Sequence, residues 1–442
     1  MSEKIYSKRR EKLLNSIDGI AIIGSATHKI RSNDTEYVFR QNSNFYYLTG
    51  FEEDNSILML INRDGVKKSV MFVQKKEPKL ELWSGKRVGV KELKKRVHVD
   101  KIYENEKFEK ILKKFLSHTK KIYLDLHVET PITTRVKNVV NESVHNSKFA
   151  YPQCYEDVHH LVNKMRLIKD KHEIELIKQA IKITKTAHEN AMKNSLHVEY
   201  EYELQSLIEH TFTCSGAASD AYTTIVASGD NANTLHYIKN SDRLKDGRLI
   251  LIDAGCEYKM YASDITRTFP RDGKFSSSQR EIYELVLSVQ KRVIEKIRPN
   301  ILRSELQKFT QLELAKGLVE LGVLKGSYKK IVKNGVINRY YPHGIGHWMG
   351  IDVHDTNPYF DENAKEIELQ KGMVLTVEPG LYLPLNETKI PKKFRGIGIR
   401  IEDDILITSN GCKNLSSKIV KEADDIEEFY RNNKKKSVKY AH

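Results

Sequence analysis

Carboxylates standing inside apolar segments are the most informative feature of this 442-residue sequence. LILIDAG places Asp253 at the end of an apolar run, and YASDITRTF places Asp264 within the next one. Glu378 follows MVLTV, and Glu402 sits in GIGIRIEDDI. A buried carboxylate without a partner is costly, so each of these acids calls for a cation, a metal or a dense set of donors. The link GCEYKMY is short enough for a near-hairpin, which would make Asp253 and Asp264 neighbours in one sheet. The segment HGIGHWMGIDVHD then supplies His343, His347 and His354 among glycines that let backbone and ligand approach closely.

Two Asp, two Glu and one His suit a pair of divalent ions, because carboxylates can bridge. Hard oxygen ligands with one imidazole favour Mn, Co, Zn or Fe over copper or an iron–sulfur centre. Paired metals favour hydrolysis: they make a shared water acidic and stabilise the oxyanion formed after attack. The spare histidines and the arginine point to a catalytic site, not a structural one. Competing chemistries lack support. The sequence has no GxSxG elbow, no P-loop and no GxGxxG after a strand.

These residues need elements to hold them. Residues 1–165 read as an α/β domain, with strands expected at 20–23, 57–61, 70–73 and 122–126. Asp170 followed by Glu173 predicts a capping box opening a long helix, with Ile174, Ile177, Ile181 and Thr184 on one face. Further helix starts are expected at Ser278 with Glu281 and at Ser304 with Gln307. Strands are expected at 249–252, 260–269, 373–377 and 397–407. Helices and strands in runs predict an α+β second domain over 166–428, with helices backing a largely antiparallel sheet. A charged tail, 429–442, follows, frayed after Ile426.

Composition limits the remaining classes. Hydrophobic residues make up 39% and charged residues 30%, enough apolar surface for two cores. No apolar run reaches the length of a membrane span, and the basic start lacks the apolar stretch of a secretion signal. A soluble cytoplasmic protein is expected, with no membrane partner. The net charge of +15 comes from scattered lysines and predicts a solvated basic surface without specific nucleic-acid binding. Cys154, Cys214, Cys256 and Cys412 lie too far apart to suggest a CxxC metal site or a disulfide framework.

The set Asp253, Asp264, His347, Glu378 and Glu402, with HGIGHWMGIDVHD, TVEPGLY and GIGIRIEDD, resembles the dinuclear pita-bread metallopeptidases, specifically the bacterial-type Xaa-Pro aminopeptidases. RSNDTEYVFRQNSNFYYLTGF, residues 31–51, is similar to that family's N-terminal domain. The resemblance implies a pita-bread catalytic domain and release of the first residue from peptides with proline second. It gives Asp253 to one metal and His347 with Glu378 to the other, with Asp264 and Glu402 bridging two ions, Mn2+ first among the candidates, by which a water would be activated.

Glu378 would also shuttle the proton. His236 would face the substrate, His354 would stabilise the tetrahedral intermediate, and His343 would line the proline pocket. Tyr222 and Arg400 would orient the ligands, Arg400 by a fixed charge near Asp253. Trp83, in ELWSGKR, matches a tryptophan that reaches a neighbouring subunit's site in relatives, which implies a homodimer or homotetramer; a core position is its other reading. The loop between Asp355 and Gly372 has no arginine, unlike many bacterial relatives, which leaves the preferred peptide length open. A prolidase cleaving Xaa-Pro dipeptides, and a non-enzymatic pita-bread peptide-binding protein, are the competing functions.

Overall fold

The apolar run GIAIIG forms the strand around which the first domain is built. In the computed structural model, which describes residues 3–117, 119–144 and 152–433, this strand is β1 (Gly19–Gly24), with five of its six residues buried. β2 (Ile57–Arg63), β3 (Val66–Val73), β4 (Lys101–Glu104), β5 (Lys121–Leu124) and β6 (Cys154–Asp157) complete a six-stranded sheet of order β4-β3-β2-β1-β5-β6. β2 pairs antiparallel with β1 and β3, whereas the β1/β5, β3/β4 and β5/β6 pairs are parallel. Ile20, Ile22, Met59 and Phe72 pack with Leu112 of the Phe108–Leu116 helix and Val136 of the Pro131–Val144 helix.

The strand expected at 122–126 stops at Leu124. There Asp125 turns its carboxylate back to accept the amides of His127 and Val128, which ends the ladder. The chain divides into two compact units, Met1–Met165 and Arg166–His442.

In the second unit the long helix starts where the sequence places it. The Asp170 carboxylate accepts the amides of His172 and Glu173, the Glu173 carboxylate accepts the amide of Asp170, and the helix runs Lys171–Asn194. Ile177, Ile181 and Thr184 are buried. The other two starts differ from expectation. The Ser277–Lys296 helix is capped by Ser276 with Gln279, two residues earlier in a run of three serines. The Arg303–Glu320 helix begins after Leu302 without a side-chain cap, because Ser304 is held by the Glu366 carboxylate instead.

Every strand pair of the second unit is antiparallel among the described residues. β7 (Ile225–Ser228), β8 (Leu249–Asp253) and β9 (Thr266–Pro270) form one small sheet in that order. β10 (Val374–Val377) pairs with β13 (Asp403–Ile407), and β11 (Gly380–Leu383) with β12 (Ile397–Arg400). The expected strands at 260–269 and 397–407 are therefore each two pieces in different sheets. A large apolar core, including Ile252, Val286, Leu314, Trp348, Leu375 and Ile405, joins helices and sheets.

The expectation of a tail from residue 429 needs one correction. The Ala423–Asn433 helix continues through it, with Tyr430 buried and its hydroxyl 2.8 Å from the Ser195 hydroxyl. The remainder, 434–442, lies outside the described residues.

One buried histidine makes stability depend on pH. His188 is fully buried with Nε2 3.1 Å from the Ala254 carbonyl, and burial pushes its pKa down from 6.5 to about 4. As pH falls, the unfolded chain gains a proton near 6.5 that the folded chain refuses until about 4. Stability is therefore lost across that window, by about 3 kcal/mol in all. Urea unfolding of metal-free protein near pH 7 and near pH 4.5 should show this loss, and His188→Gln should reduce it. An equal loss in that variant would remove His188 as the cause.

Candidate metal centre

The acids singled out by the sequence stand where strands end or break. Asp253 is the last residue of β8, opposite Thr266 of β9. Asp264 lies in the gap between the Tyr261–Ala262 strand and β9, not inside one strand. Glu378 follows β10, and Glu402 fills the gap between β12 and β13.

The backbone at these breaks stays paired, as buried peptide groups require. The amide of Glu402 donates to the Thr266 carbonyl at 3.1 Å, and that of Glu378 to the Ile345 carbonyl at 2.9 Å. The amide of Asp264 donates to Asp404 Oδ2 at 3.2 Å. Two glycines permit this closeness. A Cβ at Gly255 would lie 1.8 Å from the Ser263 carbonyl oxygen, and one at Gly346 1.9 Å from that of Thr376.

The donors converge. Ligand atoms of Asp253, Asp264 and Glu402 lie within 4.8 Å of one another, as do those of His347, Glu378 and Glu402, so the two triads share Glu402. A third group, Asp264, His347 and His354, overlaps both. His347 Nε2 is 3.3 Å from Asp264 Oδ2 and 3.7 Å from Glu378 Oε1. Its other nitrogen, Nδ1, is 3.1 Å from the Trp348 carbonyl, which fixes Nε2 toward the acids.

The electrostatics call for added positive charge. Burial, then repulsion from Asp264, Glu378 and Asp253, pushes the Glu402 carboxyl well above its usual range. Burial raises Glu378 to about 7, opposed by His347 and Arg400 and reinforced by Asp264 and Asp253. Asp253 is raised by burial and by Asp264, against the pull of Arg400. A buried arginine and an imidazole do not neutralise four such acids, whereas divalent cations on oxygen ligands with one nitrogen would. The residues fit a dinuclear metal centre.

The surrounding groups orient this set. The Tyr222 hydroxyl lies 2.6 Å from both Asp253 Oδ1 and Asp264 Oδ1. Arg400 donates to Asp253 Oδ2 at 2.6 Å, to Thr266 Oγ1 at 3.1 Å and to the Tyr382 hydroxyl at 3.0 Å. His343 Nδ1 faces the Gly344 carbonyl, leaving Nε2 to accept from the Tyr382 hydroxyl at 2.8 Å. Burial and the Arg400 charge push the His343 pKa down to about 4, so the ring is neutral at pH 7. His354 is exposed, with its ring 4.2 Å from that of His347, and burial of its inner part with the nearby His347 charge lowers its pKa. His236 is exposed too. Trp83 belongs to the first unit and is 88% exposed, which removes the core reading; Trp348 is the buried tryptophan.

Four contributors went unread in the sequence. Thr266 donates to Glu402 Oε2 at 2.7 Å. The Gln290 amide donates to the carbonyls of Val377 and Ile401, the residues preceding Glu378 and Glu402. Arg166 and Lys169 both bind the buried Asp355 carboxylate, which fixes the loop carrying His354. The position of Thr266, two residues after Asp264, is the one signal that could have marked it; the others are single polar residues with no local pattern.

Comparison with known proteins agrees with this geometry. The model of metallopeptidase family M24 matches residues 175–409, and that of the aminopeptidase P N-terminal domain matches residues 6–123. The chain belongs to metallopeptidase family M24. It is 41% identical to an Xaa-Pro aminopeptidase of Haemophilus influenzae over 96% of each chain. To an Xaa-Pro aminopeptidase of Escherichia coli it is 37% identical over 97% of each. The solved low-pH form of Escherichia coli aminopeptidase P superposes with a TM-score of 0.95 at 37% identity, covering 99% of this chain and 100% of that one. The second unit is thus an M24 pita-bread catalytic domain and the first an aminopeptidase P-type α/β domain. As an M24 metallopeptidase the chain is a metal-dependent hydrolase. No described helix is long and apolar enough to cross a membrane.

Proposed function

We infer that the chain is an Xaa-Pro aminopeptidase, which hydrolyses the bond between the first residue of a peptide and a proline in second place. The carrying observation is that Asp253, Asp264, His347, Glu378 and Glu402, spread over 150 residues, bring their donor atoms into overlapping triads. Relatives named for this activity cover nearly the whole chain.

In this reading Asp253 would help hold one divalent cation and His347 with Glu378 the other, with Asp264 and Glu402 placed to serve both. Manganese is the proposed ion, with cobalt, zinc and iron also suited to the donors. When bound, such a pair supplies an acidic water and polarises the scissile carbonyl. Glu378 would accept a proton from the attacking water and return it to the departing proline nitrogen. His354 and His236 offer imidazole N–H groups to the carbonyl oxygen as charge builds on it. Neutral His343, with ring centroids 4.8 Å from Tyr341 and 5.5 Å from Tyr382, forms an aromatic wall for the proline ring. Tyr222 and Arg400 keep Asp253 and Asp264 aimed, Tyr222 at both and Arg400 at Asp253.

A substrate-length series tests the reading. Arg-Pro-Pro should be cleaved after arginine in manganese buffer, lost after chelation and regained on adding Mn2+. Turnover confined to the dipeptide Arg-Pro would make the chain a prolidase instead. An inert protein with stoichiometric metal would make it a binding module.

A homo-oligomer is part of the proposal. The Pro78–Ser84 helix has no buried residue and leaves Leu80, Leu82 and Trp83 44%, 82% and 88% exposed, a surface suited to a second copy. Light scattering should give a multiple of the 51.2 kDa chain mass; the mass of a single chain would remove this part.

A further inference from the structure

A second group of metal-binding side chains lies in the first unit, at the carboxyl ends of two parallel strands. β5 and β6 are neighbours with Leu124 opposite Asp157, so Asp125, one residue past β5, stands beside Asp157 at the end of β6. His127 follows in the loop after β5, and His159 opens the His159–Arg166 helix after β6. Ligand atoms of Asp125, Asp157 and His159 lie within 4.8 Å of one another. Asp125 Oδ2 is 3.3 Å from His159 Nε2, and Asp157 Oδ2 is 3.3 Å from His127 Nε2. The two rings have centroids 6.0 Å apart.

Three features separate this group from ordinary surface ion pairs. Each carboxylate is aimed by backbone: Asp125 Oδ1 accepts the amides of His127 and Val128 at 3.0 and 3.3 Å, and Asp157 Oδ1 that of Leu126 at 3.5 Å. This leaves the other oxygen of each turned to an imidazole, the arrangement by which metal ligands are held in place. No lysine or arginine pairs with either carboxylate among the described residues, so two like charges stand together with histidines as their side-chain ion partners. The 3.3 Å separation within each Asp–His pair also matches coordination. Bonds of ~2.0 to 2.1 Å to a tetrahedral ion set neighbouring ligand atoms roughly 3.3 Å apart.

We propose that the first unit binds one divalent transition metal of the zinc class through Asp125, Asp157 and His159, with His127 as the fourth ligand. His127, 71% exposed at its side chain, already holds Nε2 3.3 Å from Asp157 Oδ2. Imidazole with carboxylate suits zinc, and a complete set of four protein ligands marks a structural ion, distinct from the cations of the catalytic unit.

Zinc counting on the full-length protein tests this. Chains whose catalytic centre is filled with manganese are given zinc, passed through gel filtration and analysed for metals by mass spectrometry. The double variant Asp125→Asn, His159→Gln should carry one zinc per chain fewer than the parent and hydrolyse Xaa-Pro peptides at the parent rate. His127→Ala, a change at an exposed side chain that leaves the core untouched, should raise the zinc concentration needed for half-filling at least about tenfold. His160→Ala should retain the zinc, because the His160 ring pairs with Glu156 at 3.4 Å and with the Asp157 backbone carbonyl, and with no side-chain atom of the proposed ligands. Zinc content and affinity equal to the parent in both the double variant and His127→Ala would overturn the proposal. So would a zinc that disappears with Glu402→Gln and not with the double variant.

Discussion

Glu402→Gln should reduce Xaa-Pro hydrolysis by roughly 10³-fold or more while the protein stays folded. Glu402 belongs to both donor triads, so its charge faces every cation the centre can hold. Metal-derived charge stabilisation contributes several kcal/mol to the transition state, and each ~1.4 kcal/mol is tenfold in rate. The amide keeps the shape of the carboxylate, can still accept from the Thr266 hydroxyl now 2.7 Å from Oε2, and leaves the backbone bond to Thr266 intact. The variant also relieves a repulsion: the parent carboxyl is pushed well up by burial and by Asp264, Glu378 and Asp253. Unfolding of the metal-free variant should therefore need at least as much urea as the parent. Asp264→Asn should lose activity on the same scale. Metal analysis and kcat/KM on Arg-Pro-Pro decide the matter, and a variant with full metal and full activity would end the dinuclear assignment.

The metal set was legible because a charge inside an apolar run is expensive, and four such charges with a histidine cluster have few explanations. The route of the backbone was less legible. IGIRIEDDILI reads as one strand, yet Ile397–Arg400 and Asp403–Ile407 belong to different sheets. Apolar periodicity reports burial, and both pieces are buried, so the break at Glu402 leaves no mark in it. The same holds for Asp264 between Ala262 and Thr266. Helix starts depended on competition between equivalent serines: Ser276 caps where Ser278 was expected, since Gln279 sits three residues after Ser276 and reaches back to its amide. Gln290 was invisible, because its value lies in two carbonyls 87 and 111 residues away. The β5 and β6 termini were also invisible, since Asp125 and Asp157 become neighbours only through strand pairing.

Arg267→Met should destabilise the catalytic unit by about 3 to 5 kcal/mol, the cost of breaking a buried ion pair and leaving the buried carbonyls it serves without a donor. Arg267 is fully buried and uses all its donors. Nε donates to the Val420 carbonyl at 3.1 Å, Nη1 to those of Thr266 and Glu402 at 2.9 and 2.6 Å, and Nη2 to Asp403 Oδ1 at 2.7 Å and the Ile419 carbonyl at 3.2 Å. Methionine fills much of the space but abandons four carbonyls and Asp403. Burial alone would raise the Asp403 carboxyl, yet Arg267 and Lys421 hold it well below the usual range. With Arg267 gone, that carboxylate keeps Lys421, Asn414 and Ser416. Lysine at 267 should recover little, because one ammonium cannot span five acceptors. The double change Arg267→Met with Asp403→Leu should be at least as destabilised as Arg267→Met alone, since it also takes from the largely buried Lys421 its carboxylate partner. Urea midpoints of the metal-free proteins measure each step. Because Arg267 grips the carbonyls of Thr266, the first residue of β9, and of Glu402, in the gap between β12 and β13, its loss should also loosen metal binding before global unfolding. A variant with parent-like stability and parent-like metal affinity would show that the strand break at Glu402 holds itself.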